Sequence, residues 1–272
     1  MSDSTTDKAF TGSVPRIYEQ YLVPLIFEDY AKDIVGRVAA RKPGRVLEIA
    51  AGTGVVTRLM ASTLPDSAQI VATDLQQPMI DEAVRVGTPR PVEWRQADAM
   101  QLPFEDGSFD AVVIQFGAMF FPDRPKAYAE ARRVLRPGGA LVYNVWDRIE
   151  DNEFAEEVTN AVKGMFPQDP PLFLPRTPYG YHLTENIRKD LVAGGFTSPA
   201  QIDTIAFRSR AKSARDPAIA YVEGTPLRGE IEARDASGLA KATDASALAI
   251  ARRFGDGNVD GKIQAHVIAV TR

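Results

Sequence analysis

Along this chain, short runs of β-branched and aliphatic residues alternate with longer stretches in which apolar residues return every three or four positions. That alternation predicts strands at residues 45–50 (RVLEIA), 69–73 (QIVAT), 92–96 (VEWRQ), 110–115 (DAVVIQ) and 140–146 (ALVYNVW). Helices are expected between them at residues 55–62, at 78–86 with Pro78 in the first turn, and at 125–135, ended by Pro137-Gly138-Gly139. Strands joined by amphipathic helices force a parallel sheet with right-handed crossovers and helices on both faces. Upstream, Ile17, Tyr18, Tyr21, Leu22, Leu25, Ile26 and Tyr30 recur at helical spacing, which predicts one or two helices over residues 14–40, broken at Pro24. An apolar face of that length has to cover something. Downstream, a helix at 153–166 and a Pro- and aromatic-rich loop at 167–181 lead to a helix at 185–193. Thr184 is its expected N-cap, and Gly194-Gly195 closes it. Strands at 200–210 and 262–271 complete the pattern, and the segment 213–261 between them is too long for a hairpin and carries helical patterning.

Composition narrows the chemistry. With 32 Lys and Arg against 36 Asp and Glu, the net charge of −4 argues against a nucleic-acid footprint. The absence of cysteine removes disulfides, thiolate nucleophiles, zinc-thiolate sites and iron–sulfur clusters together. No apolar run approaches the roughly 18 residues that would span a bilayer. The first eleven residues, rich in Ser, Thr and Asp, lack the basic and apolar regions of a secretory signal. A cytoplasmic protein with a flexible tail at 1–13 is expected.

The main chemical signal lies at the predicted strand ends. The run 46–54 (VLEIAAGTG) is a buried strand with an acidic residue, followed by a small-residue turn opening a helix. Gly52 and Gly54 allow a ligand close to the backbone, and the helix start offers free N–H groups. Twenty residues after Gly54, Asp74 ends the second strand, where a carboxylate can accept from both hydroxyls of a ribose. A dinucleotide fingerprint read from Gly52 would need glycine at position 57, where Thr57 stands, and Glu48 is poorly placed against a pyrophosphate. A cationic ammonium suits Glu48 better. Asp98 with Ala99 follows the third strand and can take an exocyclic amine of adenine, with Leu75 and Met100 as apolar cover. Taken singly, these features could be an ordinary Gly-rich turn and a turn aspartate; together they occupy the ligand edge of an open α/β sheet.

Glu48-x-Ala50-x-Gly52-x-Gly54, Asp74, Asp98-Ala99, the run 102–113 (LPFEDGSFDAVV) and the run 130–141 (EARRVLRPGGAL) resemble class I S-adenosylmethionine-dependent methyltransferases. Their type-11 branch, which includes quinone-biosynthesis enzymes, is the nearest. The resemblance covers residues 14–150 and implies a Rossmann-like seven-stranded sheet, N-terminal cover helices and a helical insertion before the last strand. The expected division is a methyltransferase domain at 14–210 and 262–272, with a cap at 211–261. It further implies that Glu48 and the backbone at Ala50 and Gly52 hold the methionine end of S-adenosylmethionine, with Gly54 also in the cofactor site. Asp74 would hold the ribose and Asp98 with Ala99 the adenine. Leu75, Met79 and Met100 would line the site, with Gln115 and Phe116 near the sulfonium. Tyr18 and Tyr21 are candidates to close over the cofactor, or simply to pack a cover helix. Ala50 replaces the family's usual glycine, and a slightly tighter turn with binding retained is expected.

The implied reaction is an in-line displacement yielding S-adenosylhomocysteine, without a metal: Asp147 is the single additional carboxylate nearby. His182 is the candidate general base where the acceptor must lose a proton, or else an exposed residue before a helix. His266, inside the last strand, is expected to be structural. No Asp/Asn-Pro-Pro-aromatic run follows Gln115, so a flipped nucleobase is disfavoured. Phe116, Met119, Phe120, Trp146, Phe173, Tyr179 and Tyr181 could wall a small aromatic or lipophilic acceptor, although at least half of them are expected to be plain core. A protein acceptor, a non-catalytic protein binding S-adenosylmethionine or S-adenosylhomocysteine, and a nicotinamide-linked oxidoreductase are the alternatives. Oligomeric state, a homodimer included, stays open.

Overall fold

The computed structural model describes Phe10 and residues 12–272. Of the tail expected at 1–13, residues 1–9 and 11 therefore lie outside the described residues. The chain begins with α1 (Val14–Ile17), a π-helical stretch (Tyr18–Phe27) and α2 (Glu28–Ala39). It continues as β1 (Arg45–Ile49), α3 (Val55–Thr63), β2 (Gln69–Asp74), α4 (Gln77–Val86), β3 (Glu93–Gln96), β4 (Phe109–Gln115), α5 (Arg124–Val134) and β5 (Leu135–Trp146). Then come α6 (Glu153–Met165), α7 (Phe173–Arg176), α8 (Thr184–Ala193), β6 (Gln201–Ala211), α9 (Arg215–Glu223), α10 (Leu227–Arg234), α11 (Gly238–Phe254) and β7 (Val259–Thr271).

The seven strands form one sheet in the order β3-β2-β1-β4-β5-β7-β6. β1 pairs in parallel with β2 and β4, β2 with β3, and β4 with β5. Arg272 N–H donates to Gly139 O at 2.8 Å and Asp147 N–H to Gln264 O at 3.1 Å, a falling register that makes β7 antiparallel to β5. The order reverses at β1 and β4, whose tips therefore flank the topological switch point where open α/β sheets hold ligands. The doubly wound, Rossmann-like sheet expected from the sequence is thus present.

Two compact units divide the chain. One comprises Asp29–Val145, Tyr181–Ile205 and Ala265–Arg272. Its β1, β2 and β4 read as near-continuous apolar runs because both faces are covered. Ile34, Val35 and Val38 of α2 and Val56 and Met60 of α3 pack with Val46, Ile70 and Val113 of the sheet. Each such side chain contributes about 1.5–3 kcal/mol by leaving water. The other unit comprises residues up to Glu28, Trp146–Gly180 and Ala206–Gln264. In it α11 packs on α6 and α9, and α9 packs on the π stretch. The helices between residues 211 and 261 accordingly cluster with the N-terminal helix and α6 as one body.

Three local expectations are corrected. Pro24 does not break the N-terminal helix: it stands within the π stretch, and Glu28 N–H donates five residues back to Val23 O. The wider turn accommodates a residue that lacks an N–H and whose ring crowds an α-helical carbonyl. Thr184 is the first residue of α8 and not its cap, since Leu183 stands at the N-cap without a side-chain bond. Pro137-Gly138-Gly139 lies inside β5, where the pairing with β4 shifts register between Phe109 and Ala111 and Gly138 takes φ +80°.

Candidate cofactor site at the strand tips

The turn after β1 is a chain of left-handed residues: Ala50 at φ +55°, Gly52 at +57° and Gly54 at +84°. Gly54 is required twice over, because a Cβ there would also come within 2.8 Å of the Trp94 ring on β3. Gly54 caps α3 without a side chain, so the first N–H groups of the helix keep their capacity for a ligand. Ala50 has a Cβ where the family's glycine has none, and its conformation costs about 1–2 kcal/mol relative to glycine. The neighbouring tip makes room: a Cβ on Gly117, after β4, would stand 2.5 Å from that of Ala50.

Glu48 is 1% exposed, and its carboxylate accepts from Thr57 Oγ1 on α3 at 2.5 Å. Burial pushes its pKa up to about 8, against the pull of the Thr57 bond and of Arg58. Thr57, whose presence argues against a dinucleotide turn, thus has a positive task, which the sequence reading missed. Arg58 ties the same loop by donating to Thr53 O at 2.6 Å.

Asp74 ends β2 at 9% exposure. Its Oδ2 accepts from Gly52 N–H and its Oδ1 from Gln76 N–H, both at 2.8 Å. Burial raises its pKa, opposed by these backbone donors. The carboxylate braces the glycine turn and retains lone pairs for further donors such as ribose hydroxyls. Beside it Leu75 is 40% exposed, an apolar side chain left open at a strand tip, while Met79 of α4 is buried. Gln96 Nε2 donates to Leu75 O at 2.8 Å and so ties the β3 end to the β2 tip. Past β3, Asp98 Oδ1 accepts from Met100 N–H at 2.8 Å and the Asp98 main-chain O from Gln101 N–H at 3.0 Å, with Ala99 buried and Met100 half-buried.

At the β4 tip, Gln115 is half-buried and Phe116 is buried with φ +51°. Asn144 Oδ1 on β5 accepts from Phe116 N–H at 2.9 Å, and the Phe116 ring meets Tyr30 of α2 edge-on at 5.2 Å. Neither partner was anticipated. Asn144 did have a signal: it is one polar residue in the apolar run 140–146.

Glu48, Ala50, Gly52, Gly54, Asp74, Leu75, Met79, Asp98, Ala99, Met100, Gln115 and Phe116 all belong to the unit that contains Asp29–Val145. His182 belongs to it too, half-buried beside Tyr181, whose hydroxyl donates to Asp190 at 2.7 Å and whose ring lies 4.1 Å from the Arg124 guanidinium. Tyr18 and Tyr21 lie in the other unit, where Tyr18 stacks on Phe27 at 5.1 Å. The residues considered for an acceptor wall are divided: Phe116, Met119, Phe120 and Tyr181 in one unit, Trp146, Phe173 and Tyr179 in the other. His266 pairs with Thr204 Oγ1 at 2.9 Å, as a structural histidine would. Among the described residues no group of three His, Asp or Glu is arranged to hold a metal, and no helix is long and apolar enough to cross a membrane.

Residues 47–143 match the family model described as a methyltransferase domain. The demethylmenaquinone methyltransferase of Thermus thermophilus is 44% identical over 104 residues, 38% of this chain and 47% of the relative. The ubiquinone/menaquinone biosynthesis C-methyltransferase UbiE of Teredinibacter turnerae is 34% identical over 137 residues, 48% of this chain and 50% of the relative. The chain therefore spans about half the length of the curated relatives it matches. Among solved structures, the Haemonchus contortus phosphoethanolamine N-methyltransferase 2 in complex with S-adenosyl-L-methionine superposes with a TM-score of 0.60 at 19% identity, covering 99% of this chain and 60% of that one.

Proposed function

We propose that this chain, whose residues 47–143 match a methyltransferase domain, is a class I methyltransferase that uses S-adenosylmethionine and methylates a small aromatic or lipophilic molecule of the quinone type. One observation carries the reading. Asp74 and the turn it braces through Gly52 stand at the switch point of the sheet, with Glu48 beneath that turn and an uncovered Leu75 beside it. The residues present fit the cofactor: spare acceptors on Asp74 for ribose, Asp98-Ala99 for adenine, and the Gly52–Gly54 backbone for the methionine end, with Glu48 buried beneath it on Thr57.

When bound, S-adenosylmethionine supplies an electrophilic methyl group on a cationic sulfur. The protein's task is then alignment and dryness, and orientation alone is worth about 7–11 kcal/mol in favourable cases. Gln115 and Phe116 stand at the sulfonium end in this reading. A carbon or oxygen acceptor on a phenolic ring gains nucleophilicity on losing its proton, and His182 takes the role of base. The quinone class is supported by what the two curated relatives methylate, as their names state.

Calorimetric titration with S-adenosylmethionine and S-adenosylhomocysteine, followed by a transfer assay with methyl-labelled cofactor across quinols, phenols, amines and carboxylates, tests the reading. Binding together with labelling of a quinol or phenol is expected. Absence of binding overturns the cofactor reading. Binding with transfer to protein, or with no transfer, would replace the acceptor by a polypeptide or leave a binding protein.

A further inference from the structure

Two neighbouring strand tips carry non-glycine residues in the left-handed region: Ala50 after β1 and Phe116 after β4. Such residues persist only where their surroundings over-determine them, and here the restraints on Phe116 can be named. Its N–H is taken by Asn144 twice, at 2.9 Å by the side-chain Oδ1 and at 3.3 Å by the main-chain O. Its ring rests edge-on against Tyr30, which is itself fixed by a 2.8 Å bond from its hydroxyl to Ile205 O. Gly117 follows immediately and fits against Ala50 with no space for a side chain.

Asn144 is an expensive residue for its position. It is 0% exposed within an apolar strand, and its Nδ2 has no hydrogen-bond partner among the described residues. A leucine would pack there without stranding a donor, so filling the core does not account for an amide. What the amide does is cap the end of β4 and hold Phe116 turned back. We infer that Asn144 is a positioning residue for the sulfonium end of the cofactor, acting through Phe116 and the interlocked Ala50–Gly117 contact; this rests on the cofactor reading above. The adenosine end, served by Asp74 and Asp98, lies at β2 and β3 and does not depend on it.

Two ligands separate the ends. S-adenosylhomocysteine reaches both, whereas adenosine has neither the sulfur nor the amino-acid tail. Asn144→Ala should weaken S-adenosylhomocysteine about tenfold, the loss of one well-made hydrogen bond, while adenosine stays within about twofold. Glycine adopts φ near +50° without strain, so in a Phe116→Gly background the further change Asn144→Ala should cost less than about twofold. Equal weakening of both ligands, or no weakening of either, overturns the inference, as does a full tenfold loss in the glycine background. Should Asn144→Ala fail to fold, Asn144→Ser carries the same expectation in both titrations. A wild-type protein that binds neither ligand sinks the cofactor reading instead, so the two failures are distinct.

Discussion

The strand tips of one unit and a series of rings in the other are held by different means. In the first, Asp74, Asp98, Glu48 and Asn144 each use a side chain to fasten a named backbone or hydroxyl group. In the second, beside directional bonds such as that from Gln264 N–H to Asn152 Oδ1 at 3.1 Å, rings meet in series. Phe10 meets Tyr18 at 6.0 Å, Tyr18 meets Phe27 at 5.1 Å, Phe27 meets Trp146 at 6.1 Å and Trp146 meets Tyr179 at 5.8 Å. Tyr179 ends the series with its hydroxyl 3.4 Å from that of Tyr221. Directional bonds fix a few atoms to a fraction of an ångström and suit one unchanging ligand. Ring packing fixes shape and apolarity and tolerates change of shape. The family match, confined to residues 47–143, falls wholly inside the first kind of construction.

Removing a ring from the series breaks the second unit hardest. Trp146 is 2% exposed and touches Phe27 and Tyr179. Trp146→Ala should cost about 3–5 kcal/mol, read as a lowered midpoint in urea. A loss below about 1 kcal/mol would mean the series is contact without consequence.

The strand-tip unit should instead respond to pH. Glu48 has its pKa pushed up to about 8 from 4.5. Between those values the folded protein holds a proton that the unfolded chain has released, so this group's contribution is complete below about pH 4.5 and is lost as pH rises through about 8. The slope is at most about 1.4 kcal/mol per pH unit for one group. Asp74, also raised by burial, acts in the same direction. Glu48→Gln should flatten the decline in urea midpoint between pH 5 and 8 without abolishing it; an unchanged slope would remove Glu48 as its source.

The Ala50–Gly117 contact sharpens the comparison further, because there the directional unit is also tightly packed. Gly117 has φ −97°, which any residue can adopt, so Gly117→Ala is opposed by space alone. The clash with Ala50 should cost about 1–3 kcal/mol. In the double variant Ala50→Gly/Gly117→Ala the methyl group moves across the contact and the left-handed strain at position 50 vanishes. Most of the loss should then return, measured as a non-additive urea midpoint.

How much of this was legible follows from the kind of construction. The first five strands, their parallel pairing and the acidic residues at their tips were readable, because short apolar runs, a Gly-rich turn and a carboxylate twenty residues on are local signals. Ala50 was visible as a departure from glycine, but its consequence was not: the matching absence of a side chain at Gly117 lies on another strand. Thr57 was noticed for what it excluded and overlooked as the partner of Glu48, since the spacing of nine residues joins a strand to a helix through a turn of unusual geometry. Pro24 misled because a proline reads as a break in an α-helix, and the π stretch that absorbs it has no pattern of its own. The ring series could not be foreseen, since packing partners at positions 27, 146 and 179 share no spacing.

The finest division runs within the tips themselves, between two aspartates that do similar work on different foundations. Asp74 holds Gly52 N–H as well as Gln76 N–H, and Gly52 belongs to the turn through which the methionine end would pass. Asp98 holds only Met100 N–H in its own turn and is half-buried. Each replacement by alanine should weaken S-adenosylhomocysteine by more than about tenfold, or about 1.4 kcal/mol, because ligand hydroxyls or an amine lose an acceptor. Asp74→Ala should also lower the urea midpoint, since two backbone donors lose their partner in a buried place. Asp98→Ala should leave the midpoint nearly unchanged, its turn being open enough for water to replace the carboxylate. Calorimetry and denaturation on the same two variants therefore separate a carboxylate that builds the site from one that only reads the ligand, and equal midpoints for the pair would erase that distinction.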